Sequence, residues 1–369
     1  MRFALFYHSL ISDWNHGNAH FLRGVCCELL AEGHAVQVFE RANGWSLRNL
    51  REQYGESAIA AFRKAYPKLH STFYEPEDLD LDAVLDGVDV VIVHEWSDPK
   101  LVARIGRHRT GARYRLLFHD THHRAVSAPS ELAEFDLSGY DGVLAFGDVL
   151  RRLYQDRGWA KRVWTWHEAA DVRIFLPAAR EREEELDLVW VGNWGDDERA
   201  QELQEFLIEP ARALSLRARV YGVRYPPEAL ERLAAAGIEY AGWVANFRVP
   251  AIFAQARATV HIPRRFYREC LPGIPTIRVF EALACAIPLV TAPWEDSEDL
   301  FEPGKDYLVA RDGAQMRAHL QDLRADRGYA ESLARHGLQT IRARHTCAHR
   351  VRELLSICQE LIAEGAVHA

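Results

Sequence analysis

Twice along this chain, short apolar runs of strand type alternate with helical stretches, and that alternation limits the folds open to it. In the first half the spacing predicts strands at Phe3–Tyr7, at Ala35–Phe39 after a turn at Gly33, and at Val88–Val93, Arg115–Phe118, Gly142–Phe146 and Arg162–Trp166. Helices are expected over Asn18–Glu32, Trp45–Tyr66, Pro99–Arg107 and Val149–Arg157. The second half restarts at Leu188–Gly192 and continues with a helix Glu198–Leu214 and a strand Ala218–Tyr221. Helices Pro227–Ala236 and Pro250–Ala256, strand Thr259–Ile262 and a short strand Leu308–Ala310 follow. Helices Ala314–Leu323, Tyr329–Arg344 and Cys347–Ala363 close the chain. Continuous apolar strands separated by helices indicate parallel sheets covered on both faces. The fold class is therefore α/β, with two Rossmann-like parallel-sheet domains facing an interdomain cleft.

With 369 residues the chain can build two such cores. Expected boundaries are 1–170 and 187–345, a linker 171–186 that includes the charged run Arg180–Glu185, and a last helical segment 346–369. A formal charge of −8 speaks against a nucleic-acid partner, which usually meets a basic excess. No apolar run reaches bilayer length, and Met1–His8 reads as a first strand instead of a signal peptide. The six cysteines have no metal-type or framework spacing, and a reducing cytoplasm is the expected location.

The most informative stretch runs from Pro272 to Thr291. Pro272, Gly273 and Pro275 force a tight loop. Thr276 is placed as an N-cap, Ile277 to Ala284 has helical apolar spacing, and Pro288 stops the helix before a buried strand Leu289–Thr291. A helix start of this kind attracts phosphate. Arg278 lies in the first turn, where a cation is unfavourable without an anion nearby, and Glu281 could accept hydrogen bonds from a ribose diol. Otherwise this is an amphipathic helix with Arg278 and Glu281 on its solvated side.

The segment from Arg278 to Thr291 resembles the donor-nucleotide helix of group 1 glycosyltransferases of the GT-B fold, closest to the spore-maturation-protein-like branch. That resemblance implies a metal-independent enzyme without a cofactor, which takes a nucleotide-sugar as substrate. It places the nucleotide on the C-terminal domain, the acceptor on the N-terminal one, and Glu281 on the ribose. The chain departs from the family at two positions. Retaining members often have a second glutamate where Gly273 stands, and Ala286 occupies the place of a usual glycine. His167 to Pro177 resembles the family's interdomain linker through Asp171, Phe175 and Pro177, and the last helix of the fold commonly crosses back onto the first domain.

Other strand ends supply the remaining candidates. After the first strand, Gly17 and Asn18 precede a helix and could face phosphate or sugar hydroxyls, with Asp13, His16 and His20 as the titratable neighbours. The plain alternative is a polar loop with solvated histidines. After the strand at Arg115–Phe118 come His119 and Asp120, and the family resemblance sets His119 against the donor sugar. His119, Asp120, His122 and His123, with Glu95, also invite a metal reading. In the second half, Asn193 closes a strand near the expected diphosphate. Arg199 has acidic neighbours, so Arg264, Arg265 or Arg268 together with Arg278 would supply the positive charge. Gly242 and Trp243, with Tyr240, resemble the loop that flanks the nucleobase.

The sequence thus points to a nucleotide-sugar-dependent transferase acting on an unidentified acceptor. Retention is slightly favoured over inversion, for which His16 or His20 aided by Asp120 would serve as base. A sugar-nucleotide 2-epimerase of the same fold and a non-catalytic sugar- or nucleotide-binding protein are the alternatives.

Overall fold

The computed structural model describes residues 1–178 and 186–367, so the run Arg180–Glu185 lies outside the described residues. The chain divides into two compact units, Met1–Glu168 together with the helix that begins at Cys347, and Ala169–Thr346.

The first unit is built on a seven-stranded sheet. Its strands are β1 (Arg2–Phe6), β2 (Ala35–Arg41), β3 (Ser71–Tyr74), β4 (Val90–His94), β5 (Arg115–Asp120), β6 (Gly142–Ala145) and β7 (Val163–Thr165). They lie in the order β3-β2-β1-β4-β5-β6-β7, and every pairing is parallel. All five residues of β4 are buried, because helices cover both faces of the sheet. Edge strand β3 escaped the sequence reading. Its four residues are only partly buried, so no apolar run marks it. The helix expected from Trp45 is interrupted at Gly55, which takes φ 68° and divides it into two segments. The helix Cys347–Val367 packs on the helix Ala19–Ala31 and on β5, and Trp166 Nε1 donates to the carbonyl of Arg350 at 2.8 Å.

The second unit has a six-stranded sheet of β8 (Leu186–Val191), β9 (Ala218–Tyr221), β10 (Glu239–Tyr240), β11 (Ala256–His261), β12 (Leu289–Thr291) and β13 (Leu308–Val309). The order is β10-β9-β8-β11-β12-β13, again with parallel pairs throughout. The expected helix Glu198–Leu214 is not regular. A 3-10 turn at Asp196–Glu198 leads into α-helix at Ala200–Leu203, a π-turn Gln204–Ile208, and α-helix again at Glu209–Ala213. Pro210 accounts for the π-turn, since its ring would clash with the carbonyl one turn back in an unbroken α-helix.

In each unit the strand order reverses, at β1/β4 in the first and β8/β11 in the second. Open parallel sheets offer their ligand crevice at the strand carboxyl ends of such a reversal. The loops after β1, β4, β8 and β11 carry most of the candidate residues.

Candidate functional site

In the second unit the helix Ile277–Ala284 follows the loop after β11. It is held close to the helix Arg327–Arg344 at Gly337, where a Cβ would lie 2.7 Å from Leu283 Cδ2. Thr276 occupies the N-cap position with an extended backbone, but its hydroxyl makes no capping bond. It faces His261 Nε2 at 3.1 Å instead, while His261 Nδ1 meets Thr291 Oγ1 at 3.1 Å. Thr276 is thus the N-cap residue that the sequence indicated, with its hydroxyl held by a strand-end imidazole instead of the helix amides. Burial pushes the His261 pKa down to about 3, so the ring is a neutral bridge between β11, β12 and the helix start.

Glu281 is fully buried, not on a solvated face. Asn246 Nδ2 donates to its Oε1 at 2.6 Å, and the Arg278 guanidinium donates to its Oε2. Asn246 is 4% exposed and opens a 3-10 turn, Asn246–Arg248. Its role was not legible in the sequence, because nothing in its own turn marks a partner 35 residues away. The side chain of Ile277 is buried, which leaves its backbone for any ligand.

Three guanidinium groups share this region. Arg199 donates to the carbonyls of Asn193 and Ile262 and lies over the ring of Trp190. Burial first, then the charges of Arg264 and Arg278, lower its pKa to about 9. Arg264 meets Glu198 at 2.7 Å. Arg265 and Arg268 turn to Glu202, at 3.3 and 3.8 Å. Of the four basic side chains expected to supply charge, Arg264 and Arg278 are thus the two grouped with Arg199.

Asn193 Oδ1 accepts from the amide of Val223 at 3.4 Å. Gly242, at φ 73°, accepts from the amide of Gly222 at 2.8 Å. Tyr240 packs against Tyr225 at 4.7 Å and donates to Gly222 O at 2.9 Å, whereas Trp243 is half-buried in the next turn.

The two departures from the family pattern both have local explanations. Gly273 takes φ 89°, and a Cβ there would stand 2.5 Å from Ser297 Oγ and 3.2 Å from Glu298 Oε1. A glutamate at 273 has no room, and the carboxylate of Glu298 occupies the adjoining space. The Gly273 amide donates to Glu295 O at 2.8 Å, while Asp296 accepts from the amides of Leu300 and Phe301, so this loop is pinned. Ala286 adopts φ 52°, a left-handed turn in which glycine would be unstrained.

In the first unit the loop after β1 is not a solvated polar segment. His16 is 7% exposed and His20 fully buried. Asp13 pairs at 2.8 Å with Arg23, whose buried guanidinium also donates to the carbonyls of Leu10 and Ile11. Asp13 therefore fastens the loop to the helix Ala19–Ala31. Asn18 Nδ2 donates to Glu168 at 3.1 Å, and Gly17 beside it is half-buried.

His119, at the end of β5, is fully buried with Nδ1 2.6 Å from the Tyr7 hydroxyl. Its Nε2 has no hydrogen-bond partner among the described residues. Burial pushes the pKa to about 3. His94 stacks on Tyr7 at 4.7 Å, and the ring centroids of His94 and His119 are 5.7 Å apart. His8 and His16 extend this set of imidazoles, with centroids 4.9 Å apart. Desolvation holds all four below the ordinary histidine range, so His16 is not a base poised near neutrality.

Strand alternation sends Asp120 the other way from His119. It accepts from Tyr154 at 2.8 Å and from the His122 amide at 3.1 Å, and does not meet His16 or His20. Burial raises the pKa of Asp120 and of Glu95, with Arg124 opposing. Arg124 is bonded to Glu95 and lies under the ring of Trp96 at 4.3 Å. Trp96 is 44% exposed at the end of β4, and its surface position was not anticipated from sequence. His122 and His123 pack ring to ring at 4.0 Å. Among the described residues no group of three or more His, Cys, Asp or Glu is arranged to hold a metal ion.

Residues 198–356 match a family model described as glycosyl transferase-like. None of the curated proteins compared matches the chain in sequence. Among solved structures, sucrose-phosphate synthase from Thermosynechococcus elongatus is similar with a TM-score of 0.66 and 15% identity, over 99% of this chain and 100% of the other. Anabaena HepE in complex with UDP aligns with a TM-score of 0.65 and 13% identity, over 98% and 100%. An alpha-glucosyltransferase solved with UDP and a 13-mer DNA aligns with a TM-score of 0.70 and 11% identity, over 97% and 99%. Identities this low establish the shared fold. No described helix is long and apolar enough to cross a membrane.

Proposed function

We propose that this chain is a glycosyltransferase of the GT-B fold, a reading supported by the family match over residues 198–356 and by its architecture, and that it moves a sugar from a UDP-linked donor to an acceptor hydroxyl. The observation that carries the donor reading is the buried Glu281, clamped by Asn246 and Arg278 beside Arg199 and Arg264. A carboxylate next to grouped guanidiniums suits a ribose diol joined to a diphosphate. UDP is the chosen nucleotide because structures of the same fold contain it.

In this reading Arg264 and Arg278 receive the diphosphate, Trp243 flanks the base and Glu281 holds the ribose. The leaving phosphate is neutralised by arginines and backbone amides, without a metal ion. His119 serves the transferred sugar. In the tautomer in which Tyr7 donates to Nδ1, Nε2 carries a hydrogen for a sugar oxygen. Retention is supported by the carboxylate of Glu298 beside Gly273, which can take the place of the glutamate that the chain lacks. A cytoplasmic location agrees with six free cysteines.

The test is a thermal-shift panel of nucleoside diphosphates. UDP at about 100 times its dissociation constant should add about 2.7 kcal/mol of stability. If no nucleotide in the panel raises the melting temperature, the donor reading is wrong.

A further inference from the structure

His94 and His119 close the neighbouring strands β4 and β5 in register, so both rings rise from the same face of the sheet, with centroids 5.7 Å apart. Tyr7, one residue past β1, stands beside them, stacked on His94 and bonded to His119. Both histidines are fully buried. Each keeps one ring nitrogen without a hydrogen-bond partner among the described residues, Nδ1 of His94 and Nε2 of His119. Unpaired buried polar atoms are rare in folded proteins, and here two stand on adjacent strand ends.

The surrounding bonds assign the hydrogens. Among the described residues the Tyr7 hydroxyl bonds only His119 Nδ1, and burial keeps the phenol protonated. With a hydrogen on Nδ1, the phenolic hydrogen would be stranded in the interior. Tyr7 therefore donates to Nδ1, and the free Nε2 of His119 is an N–H donor. On the other ring, Nε2 of His94 meets Thr121 Oγ1 at 3.0 Å, and that hydroxyl already gives its hydrogen to Glu95. His94 therefore donates from Nε2, and its free Nδ1 is a bare acceptor. Desolvation keeps both rings neutral. One free donor beside one free acceptor suits a hydroxyl, which both accepts and donates. A metal ion would need a lone pair where His119 presents a hydrogen.

We propose that His94 and His119 together read hydroxyls of the transferred sugar: Nε2–H of His119 donates to one oxygen, and Nδ1 of His94 accepts the hydrogen of that hydroxyl or of its neighbour on the ring. This rests on the reading above that His119 serves the transferred sugar, and it adds His94 as a residue that decides which sugar is accepted. A donor without the hydroxyl leaves these nitrogens unpaired in the interior, which is the basis of strong rejection.

The test compares the best UDP-sugar donor with its monodeoxy analogues. For wild type, one analogue should lose about 10⁴-fold in kcat/KM, the discrimination of a site built around a substrate hydroxyl. His94→Phe keeps a ring against Tyr7 and removes the acceptor, so it should narrow that gap about a hundredfold. His94→Asn, whose side-chain oxygen can stand in for Nδ1, should keep most of it. Both variants should bind UDP as wild type does. In wild type carrying isotope-labelled histidine, the ring-nitrogen resonances should place the hydrogen of both rings on Nε2. An unchanged gap in a His94→Phe protein that still binds UDP overturns the role of His94, as does a hydrogen found on its Nδ1. Wild type that transfers the sugar and treats every monodeoxy donor like its parent overturns the pair and leaves the donor reading intact. Wild type that turns over no UDP-sugar overturns the donor reading, and the pair with it.

Discussion

The hydroxyl of Tyr7 lies 2.6 Å from Nδ1 of His119, joining the carboxyl end of β1 to that of β5 inside a fully buried aromatic group. The bond fixes the ring, and Nε2 is left without a hydrogen-bond partner among the described residues. Because desolvation lowers the folded pKa to about 3, the folded protein resists protonating His119, whereas the unfolded chain accepts a proton near 6.5. The unfolded state thus binds more protons between these values, and stability is lost as pH falls below about 6.5. The contribution of one such histidine between pH 7 and pH 5 is about 2 kcal/mol. Denaturant unfolding of wild type and His119→Gln at the two pH values measures it. The variant should lose about 2 kcal/mol less than wild type over that interval. Equal losses would mean that His119 titrates normally in the folded protein.

Glu281→Ala removes the acceptor proposed for the ribose, and alanine suits the helix. UDP affinity should fall by about 1.5–3 kcal/mol, the range for hydrogen bonds to a charged group. Calorimetric titration decides this. An unchanged affinity would remove Glu281 from the subsite.

Asp13→Ala tests a structural role. Arg23 is fully buried, and losing its one carboxylate partner among the described residues, at 2.8 Å, strands a charge in the interior. The expected cost is about 3 kcal/mol, seen as a lower denaturation midpoint. A change below about 0.5 kcal/mol, as at ordinary surface positions, would mean that the pair contributes nothing.

Activity should survive exhaustive chelation if, as proposed, Arg264, Arg278 and backbone amides balance the departing diphosphate. Loss of turnover on chelation that one divalent ion restores would show that a metal is needed.

Both sheets were readable from sequence because parallel strands buried on two faces leave continuous apolar runs, as Val90–His94 does. The same pattern placed His119 at the end of β5 without any contact information. What stayed hidden depends on side chains distant in sequence. His261 takes the Thr276 hydroxyl from across the sheet, Asn246 reaches Glu281, and Arg265 turns away to Glu202. His16 and His20 read as polar loop residues, yet the loop is folded inward around Arg23. The π-turn at Gln204–Ile208 needed only Pro210 to be weighed against a helical pattern.

The most direct measurement of sugar transfer is UDP released from UDP-sugar donors by wild type and His119→Ala, with UDP affinity determined for both. Wild type should release UDP and leave the sugar on an acceptor or on water. The variant should bind UDP as before and turn over about a hundredfold more slowly, the loss expected for one positioned polar group. No release by wild type from any candidate donor would contradict the account.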